Sequence, residues 1–248
     1  FKQKQLDHLP PTHKAIRDIA RSVDNLIRIV GDKPLVHITR SDVQVFIASR
    51  LEQVKTTSVQ REIRSLATVW QQVAYVQEIR QLNPFSNQPI KALGTDVAKR
   101  HTPTIAETRG LIKALTERHH RLPNSYISPL VMVAALTGSR LNEIWGLERG
   151  DYHPSEPTDG IGVLHIRPNE SRANVKTKHS IRPFPVIADL AYWIDKLFTV
   201  KRPKTANSAS AGTLQALKRE GITFGSQSLR HGFKQRLVEL DTPNDLIQ

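Results

Sequence analysis

Apolar residues recur at helical spacing along three stretches of the first eighty residues. The first stretch spans about residues 12–30 and ends at Gly31, the second begins near Ser41, and the third begins near Ser58. Each predicts an amphipathic helix. The predicted inward positions are Ile16, Ile19, Val23, Ile27 and Val30, then Val43, Phe46, Ile47 and Leu51, then Ile63, Leu66, Trp70 and Val73. Since no single apolar stripe can be buried alone, the three helices are predicted to pack as a bundle.

The pattern changes after the bundle. Asn83-Pro84-Phe85 is predicted to end it, because the residue before a proline disfavours the helical region. Residues 86–102 are polar and irregular, and we interpret them as an interdomain linker. A capping box of Thr104 and Glu107 then predicts a helix start, and residues 129–136 are apolar on all sides, which indicates a buried central helix. The expected domains are therefore residues 1–85 and 103–248.

A β-hairpin is predicted within the second domain. Residues 161–167 and 182–187 have the composition of strands, and the polar stretch 168–180 lies between them. Residues 188–198 predict a helix, KRPKTANSASAG a surface loop, and residues 214–219 a short helix. The next helix opens near Ser228 with Leu229, Phe233, Leu237 and Leu240 on its apolar face, and Pro243 suits the first turn of a last one. The predicted fold class is mainly α with a small β-hairpin or sheet, α+β.

The charge balance points to a polyanionic partner. The formal net charge is +13 and the pI about 10.2, and both halves of the chain are basic, as expected for a protein that surrounds nucleic acid. The polar sides of the predicted bundle carry Lys14, Arg17, Arg21, Arg28, Arg50, Lys55, Arg61 and Arg64. A solvated helix surface is the better interpretation of any one of them, but as a set they suit phosphate contacts.

Composition also excludes several classes of protein. The sequence has no cysteine, which excludes disulfides, thiolate metal sites and cysteine nucleophiles. No apolar stretch approaches the roughly 20 residues that span a bilayer. The first ten residues lack a signal-peptide core, so a cytoplasmic location is expected and no membrane partner.

Candidate chemistry begins where an apolar run breaks. Ala134-Ala135-Leu136 ends the run, Thr137-Gly138 interrupts it, and Ser139 is a suitable N-cap for a following helix with Arg140 in its first turn. An arginine held at a helix start beside a packed core is well placed to bind phosphate through its planar fork. The alternative is a surface arginine that caps a turn. Glu143, three residues further on, is expected to orient Arg140 or to be an exposed helix acid.

Two further motifs lie downstream. Val175-Lys176-Thr177-Lys178 falls in the predicted hairpin turn, and Ser228-Leu229-Arg230-His231 opens an amphipathic helix. In this order and spacing, the TGxRxxE segment around Arg140, the lysine-bearing turn and SLRH resemble the first arginine box, the β-hairpin and the second arginine box of the tyrosine recombinases, the phage-integrase family. The resemblance covers nearly the whole chain. It implies that residues 1–85 form a helical core-binding domain that clamps DNA, and residues 103–248 a mixed helical catalytic domain.

The chemistry of DNA strand cleavage suggests roles for these residues. Attack on phosphorus places negative charge on the non-bridging oxygens, and the leaving alkoxide needs a proton. Arg140 and Arg230 are candidates to converge on the phosphate, with no metal or cofactor required. The resemblance implies that a hairpin lysine protonates the leaving 5′ hydroxyl; Lys176 is the first candidate and Lys178 the alternative, and a plain DNA-backbone contact is the other interpretation. It also implies a supporting role for His231.

The remaining basic residues of the hairpin are predicted to contact DNA, namely Arg172 and Arg182 together with Lys178. Two features depart from the family pattern. Gln227 stands where the family usually has a histidine, and glutamine donates hydrogen bonds but takes no proton; it is either a natural variant or an introduced one. The nucleophilic tyrosine of the family follows the second arginine box, whereas the four tyrosines here, Tyr75, Tyr126, Tyr152 and Tyr192, all precede it.

The leading hypothesis is a site-specific DNA recombinase or integrase that cuts and rejoins DNA through a 3′-phosphotyrosyl link. The chain is expected to be truncated before the nucleophile, so that it binds double-stranded DNA without cleaving it; a tyrosine from a neighbouring protomer is the larger assumption. The resemblance suggests a homotetramer on paired DNA sites. The alternative is a DNA-binding protein of the same fold that does not cleave. A metal-dependent nuclease has little support, because His119-His120 is more simply an exposed helix end.

Overall fold

The computed structural model describes residues 14–98, 101–154, 161–171 and 180–242. The chain forms two compact units, Phe1–Lys99 and Arg100–Gln248. The predicted fold class is confirmed, because most described residues are helical and the strands form a small antiparallel sheet. The last predicted helix, at Pro243, lies outside the described residues.

The first unit is a bundle of three helices, α1 (Lys14–Val30), α2 (Arg40–Leu51) and α3 (Thr56–Val76). Gly31 follows α1 with a φ of 91°, a value that favours glycine. Thr39 caps α2 by accepting a hydrogen bond from the backbone of Asp42. The core of the unit contains Leu26, Val43, Phe46, Ile47, Val59, Ile63, Leu66 and Trp70. The prediction of three amphipathic helices that pack on one another is confirmed.

Individual positions on two of these helices were predicted wrongly. Ile27 and Leu51 are exposed, whereas Leu26 and Arg50 are buried. Arg50 donates from Nε and Nη2 to the two carboxylate oxygens of Glu62, at 2.9 and 2.8 Å. A paired guanidinium group can therefore occupy an inward position, and Arg50 does not belong to the basic surface of the bundle.

The segment after α3 packs back on the bundle. α3 already ends at Val76, and Phe85 lies in the bundle core with 2% of its surface exposed. Further along, the carboxylate of Asp96 accepts hydrogen bonds from the backbone and the hydroxyl of Thr56, at 2.7 and 2.6 Å. The irregular residues up to 98 are therefore attached to the first unit.

The second unit is built around a buried helix. Its first elements are α4 (Ile105–Arg121), α5 (Ile127–Thr137), α6 (Leu141–Trp145), β1 (Tyr152–His153) and β2 (Gly162–Ile166), followed by β3 (Arg182–Val186), α7 (Ala188–Thr199), α8 (Ala206–Arg219) and α9 (Ser226–Glu239). All but one of the residues of α5 are buried, and α5 contacts α4, α6, α7, α8 and α9. The predicted central helix and the capping box of Thr104 and Glu107 are confirmed.

The sheet has three antiparallel strands in the order β1-β2-β3. β2 and β3 pair with Leu164 opposite Phe184 and Ile166 opposite Arg182, and β1 places Tyr152 opposite Leu164. The predicted hairpin is confirmed. β1 was missed because it has only two residues, too few for an alternating pattern to be recognised.

Three further expectations are corrected. The predicted loop at residues 201–212 is helical from Ala206 onward, because Thr205 caps α8 and the small residue Ala209 is buried. His119 is not an exposed helix end; it is 5% exposed, between the rings of Tyr192 and Trp193. Leu240 is 76% exposed, so the apolar face of α9 ends earlier than predicted. Among the described helices, none combines the length and hydropathy needed to cross a bilayer.

Candidate functional site

A tight turn at Gly138 brings the ends of α5 and α9 together. Gly138 follows α5 with a φ of 60°, in the left-handed region. A Cβ atom at this position would lie 2.4 Å from the ring of Phe233 on α9, closer than real atoms approach. Glycine is therefore required twice, once by the backbone conformation and once by the packing of α9.

Arg140 begins α6 rather than lying within its first turn. It is the N-cap residue, with an extended backbone (φ −71°, ψ 141°), and its N–H donates to Oε2 of Glu143 at 3.0 Å. The predicted N-cap, Ser139, is buried, and its hydroxyl instead accepts a hydrogen bond from Nη2 of Arg182 at 2.8 Å. The N-cap therefore lies one residue later than predicted.

Glu143 is the carboxylate around which the cations gather. It is only 3% exposed, which excludes the interpretation as an exposed helix acid. Its Oε1 accepts from Nη1 of Arg140 at 2.6 Å, and its Oε2 from Nη2 of Arg182 at 3.3 Å. Burial opposes ionisation, but the hydrogen bonds from Arg140 and the charges of both arginines outweigh it, so the pKa of Glu143 lies below its ordinary value.

Arg230 reaches the same place from α9. Its Nη1 donates to the carbonyl oxygen of Gly138 at 2.6 Å, two residues before Arg140. It is half-buried, and burial together with the charges of Arg140 and Arg182 lowers its pKa, an effect that Glu143 partly offsets. Arginine stays protonated under these conditions. The two predicted phosphate-binding arginines therefore lie in one cluster.

Lys234 is a member of this cluster that the sequence reasoning missed. It is half-buried on α9, one turn after Arg230. Burial and the charges of Arg230, Arg140 and Arg182 lower its pKa. The sequence could have indicated its position, because Lys234 follows Arg230 by four residues and residues at i and i+4 share a helix face.

The base of the hairpin joins the cluster through two residues. Ser180, which is buried, accepts a hydrogen bond on its Oγ from Nη1 of Arg140 at 3.0 Å. Arg182, the first residue of β3, donates to the backbone oxygen of Ser180 at 2.9 Å as well as to Ser139 and Glu143. The strand that follows the hairpin turn is thus bound directly to the arginine at the start of α6.

The strand on the other side of the turn is held by a second buried carboxylate. Asp151 is 1% exposed and accepts from Nε of Arg167 at 2.9 Å and from Nδ2 of Asn169 at 2.6 Å. Asn169 also donates to the backbone oxygen of Gly146 at 2.7 Å. Both sides of the hairpin are therefore anchored next to α6.

The other predicted site residues are placed differently. Gln227 and His231 are exposed, in the first turns of α9. Gln227 lies three residues before Arg230 and shares its face of the helix, whereas the ring of His231 makes no hydrogen bond with any described residue. Arg172, Lys176 and Lys178 lie outside the described residues.

The arrangement is suited to binding an anion. Among the described residues, Arg140, Arg182 and Arg230 surround one buried carboxylate, Glu143, and Lys234 lies near the three arginines, which leaves a positive excess in a half-buried place. Within the described part of the chain, histidine and acidic side chains form no group able to hold a metal ion. Convergent guanidinium groups bind phosphate through charge-assisted hydrogen bonds.

Comparison with known proteins yields matches among solved structures. No family model matches the sequence, and no curated protein matches it. The Tn1549 transposon integrase in complex with transposon right end DNA is 17% identical with a TM-score of 0.71, over 100% of this chain and 88% of that one. A lambda integrase dimer bound to a COC′ core site is 15% identical with a TM-score of 0.69, over 99% and 89% of the two chains.

The third matching structure is a tetramer of lambda integrase. The lambda integrase tetramer bound to a Holliday junction is 16% identical to this chain with a TM-score of 0.70, over 100% of this chain and 73% of that one. At such identities the likeness shows a common fold. It extends over both units of the chain.

Proposed function

We propose, on the premise that this chain has the tyrosine-recombinase fold, that it belongs to a site-specific DNA recombinase or integrase. In the proposed reaction a hydroxyl nucleophile attacks a phosphorus atom of the DNA backbone. A 3′-phosphoester to the protein forms, the bond from phosphorus to the 5′ oxygen breaks, and the 5′ oxygen leaves as a hydroxyl after it has gained a proton. Attack by the 5′ hydroxyl reverses the step and rejoins the strands.

The observation that carries this proposal is the meeting of Arg140 and Arg230. The two residues are far apart in sequence, yet Arg230 donates to the carbonyl oxygen of Gly138 beside Arg140. Two guanidinium groups at a single phosphate stabilise the negative charge that develops on its non-bridging oxygens during attack. Their fixed positions lower the reorganisation required, because Glu143 and Gly138 already hold both side chains.

The remaining roles follow from the same chemistry. Glu143 is proposed as a positioning residue, because it binds Arg140 and Arg182 and is shielded from solvent. The hairpin lysine, Lys176 or alternatively Lys178, is proposed to protonate the leaving 5′ oxygen. Ser180, two residues after Lys178 in the sequence, is bound to Arg140, which supports a hairpin that approaches the phosphate.

The residues at the edge of the site are proposed to contact DNA. Gln227 is exposed on the face of α9 that carries Arg230, where its amide can donate a hydrogen bond to a phosphate oxygen. Arg172 and Lys178 are proposed to contact the backbone, and Arg182 to add charge beneath the phosphate. His231 is proposed to support the site through a hydrogen bond formed when DNA is present.

We assign no tyrosine of this sequence as the nucleophile. Burial raises the pKa values of Tyr126 and Tyr152, which disfavours the phenolate that attacks phosphorus. Tyr75 belongs to the first unit, and Tyr192 packs its ring edge-on against His119 and Trp193.

The first unit is proposed to be the core-binding domain. Its exposed basic residues, such as Arg61 and Arg64, lie on α3 and suit contacts with phosphate. Double-stranded DNA is the proposed partner. We propose a homotetramer on paired sites by analogy with the lambda integrase tetramer on a Holliday junction. A cytoplasmic location completes the proposal.

DNA binding and adduct formation together test the function. Binding of a fluorescent duplex is measured for the unaltered chain and for Arg140→Ala and Arg230→Ala, with Arg109→Ala, an exposed position on α4, as the control. We expect both site variants to bind more weakly and the control to bind normally. Covalent adducts are then sought on nicked duplexes that release the 5′ end after cleavage; an adduct supports cleavage, and because no tyrosine of this sequence is assigned as the nucleophile, the binding comparison decides the phosphate site. If both site variants bind DNA as tightly as the unaltered chain does, the assignment of the phosphate site is wrong.

A second candidate function is DNA binding without strand cleavage. Gln227 favours it, because glutamine cannot replace a histidine in proton transfer. This candidate predicts binding that weakens steeply as salt rises, because phosphate contacts release counterions. A covalent adduct that is abolished by Arg230→Ala would exclude it.

A further inference from the structure

Among the described residues, Lys234 has no counter-charge of its own. Within the part of the chain that the structure describes, its ammonium group makes no ion pair and no hydrogen bond. It is nonetheless half-buried on α9. A partly desolvated cation without a partner is costly, and groups in this condition occur most often at functional sites.

The neighbouring charges make its position more unfavourable. Arg230 lies one turn earlier on α9, Arg140 lies at the start of α6, and Arg182 is the first residue of β3; all three repel Lys234. In the described part of the chain, Glu143 is the acidic group at this place, and its two oxygens already bind Arg140 and Arg182. The free protein therefore holds more positive charge here than its own carboxylate neutralises.

We propose that Lys234 binds the scissile phosphodiester together with Arg140 and Arg230, through a contact of its ammonium group with a non-bridging oxygen. This inference rests on the proposed function and adds a residue to its site. The phosphate supplies the negative charge that the cluster lacks. No bond is made or broken by Lys234 in this role.

The helix geometry supports such a contact. Gln227, Arg230 and Lys234 are separated by three and four residues, so they line one face of α9. Side chains on a helix lean toward its N-terminus, which directs Lys234 along the turn that carries Arg230. Gln227 is uncharged, and the cations of this face are thus those at positions 230 and 234.

The test compares Lys234→Met, which keeps the length of the side chain, with Lys234→Arg, which keeps the charge. Lys113→Met is the control, because the Lys113 side chain is 79% exposed on α4. Binding of one fluorescent DNA duplex is measured over a range of salt concentrations. We expect Lys234→Met to bind several-fold more weakly, with a slope of log affinity against log salt that is shallower by about 0.9, the loss of one phosphate contact. Lys234→Arg should behave as the unaltered chain does.

Stability without DNA separates this role from a structural one. Removal of a charge from a cluster of like charges relieves repulsion, so Lys234→Met should raise the midpoint of urea unfolding while it weakens DNA binding. A lysine with a purely structural role would change these quantities in the same direction. Lys113→Met should change neither quantity appreciably.

The pH dependence of binding gives an independent measurement on the unaltered chain. A phosphate beside Lys234 raises the pKa that burial and the arginines had lowered, so binding takes up a proton and affinity falls as pH rises toward the ordinary lysine pKa. Arginine side chains keep their proton in proteins, and the lowered pKa of Glu143 keeps its carboxyl group ionised at neutral and basic pH. Lys234→Arg should therefore remove most of the pH dependence.

The possible outcomes are distinct. If the unaltered chain binds DNA and Lys234→Met has the same affinity, salt slope and pH dependence, the inference is wrong and the proposed function stands. If the unaltered chain binds no DNA, the proposed function is wrong and the inference falls with it. Weaker binding with a shallower slope and a more stable free protein supports the inference.

Discussion

Arg230 donates a hydrogen bond from Nη1 to the carbonyl oxygen of Gly138, 2.6 Å away and 92 residues earlier in the chain. The last carbonyl groups of a helix lack partners within the helix, and Arg230 supplies one at the end of α5. The same contact fixes α9 against Gly138, which precedes Arg140 by two residues in the sequence. The position of one candidate phosphate-binding arginine is therefore coupled to the backbone that carries the other.

The first prediction concerns Gly138→Ala. The new methyl group would meet Phe233 at 2.4 Å and would also occupy a left-handed backbone conformation. We expect a loss of about 3 kcal/mol in the free energy of unfolding, which combines backbone strain and overpacking. Gly221→Ala is the matched control, since it has a φ of 76° and open space around it; it should cost about 1 kcal/mol.

Urea unfolding of the two alanine variants makes the comparison. Because α9 must move to accept the methyl group, Gly138→Ala should also weaken DNA binding, whereas Gly221→Ala should not. Equal losses of stability in the two variants would show that the contact with Phe233 is relieved without cost.

A second prediction concerns the buried carboxylate. Glu143→Gln removes the charge that Arg140 and Arg182 face, and the loss of one partner from a buried ion pair costs about 3 kcal/mol. Glu117→Gln on α4 is the control, because its contact with Lys113 is exposed and 4.0 Å long; it should cost less than about 1 kcal/mol. Chemical denaturation at neutral pH measures the free energy of unfolding of both variants. A similar small loss in the two variants would contradict the central role of Glu143.

The pH dependence of stability follows from the same residue. Its pKa in the folded protein lies below the ordinary value of 4.5, so the folded state binds fewer protons than the unfolded state near that pH. The stabilisation that ionised Glu143 provides is complete above about pH 4.5, and it is lost as pH falls through the lower pKa of Glu143 in the folded protein. The difference in stability between the unaltered chain and Glu143→Gln should therefore shrink below pH 4.5. A difference that stays constant down to strongly acidic pH would refute this.

A further prediction tests whether two arginines hold one phosphate. We expect Arg140→Lys and Arg230→Lys each to weaken duplex binding, because a point-charge ammonium cannot reproduce the planar fork. If both bind the same phosphate, the double variant should lose less than the sum of the two single losses. Fluorescence titrations at one fixed salt concentration supply the four affinities. Strict additivity would mean that the two arginines bind separate phosphates.

The last prediction concerns the first unit. Arg50→Met should destabilise the bundle by about 3 kcal/mol, because Glu62 would be left largely buried without its partner. The salt slope of DNA binding should not change, since the guanidinium group of Arg50 faces inward. Arg64→Met, at an exposed position of α3, should give the opposite result, a normal stability and a shallower slope. A shallower slope for Arg50→Met would contradict the inward assignment.

Local regularities in the sequence were enough to predict most elements. Helical spacing of apolar residues identified α1, α2 and α3, and the continuous apolar run identified α5, because burial requires these patterns wherever the helix packs. The break at Gly138 was also predictable, since a left-handed residue is local to the backbone. β1 and the start of α8 were not, because two residues carry no period and because small residues such as Ala209 are compatible with loop and helix alike.

Local patterns were sufficient to place Arg140 and Arg230 near the starts of helices, to predict a hairpin between them, and to show that the chain is strongly basic. Which charges face one another depends on how the elements pack in three dimensions. Packing placed Glu143 in the interior as the partner of two arginines, turned Arg50 inward toward Glu62, and left Lys234 without a counter-charge among the described residues. This difference arises because periodicity depends on neighbours three or four residues away, whereas an ion pair depends on the distance between side chains from different elements, which packing alone sets.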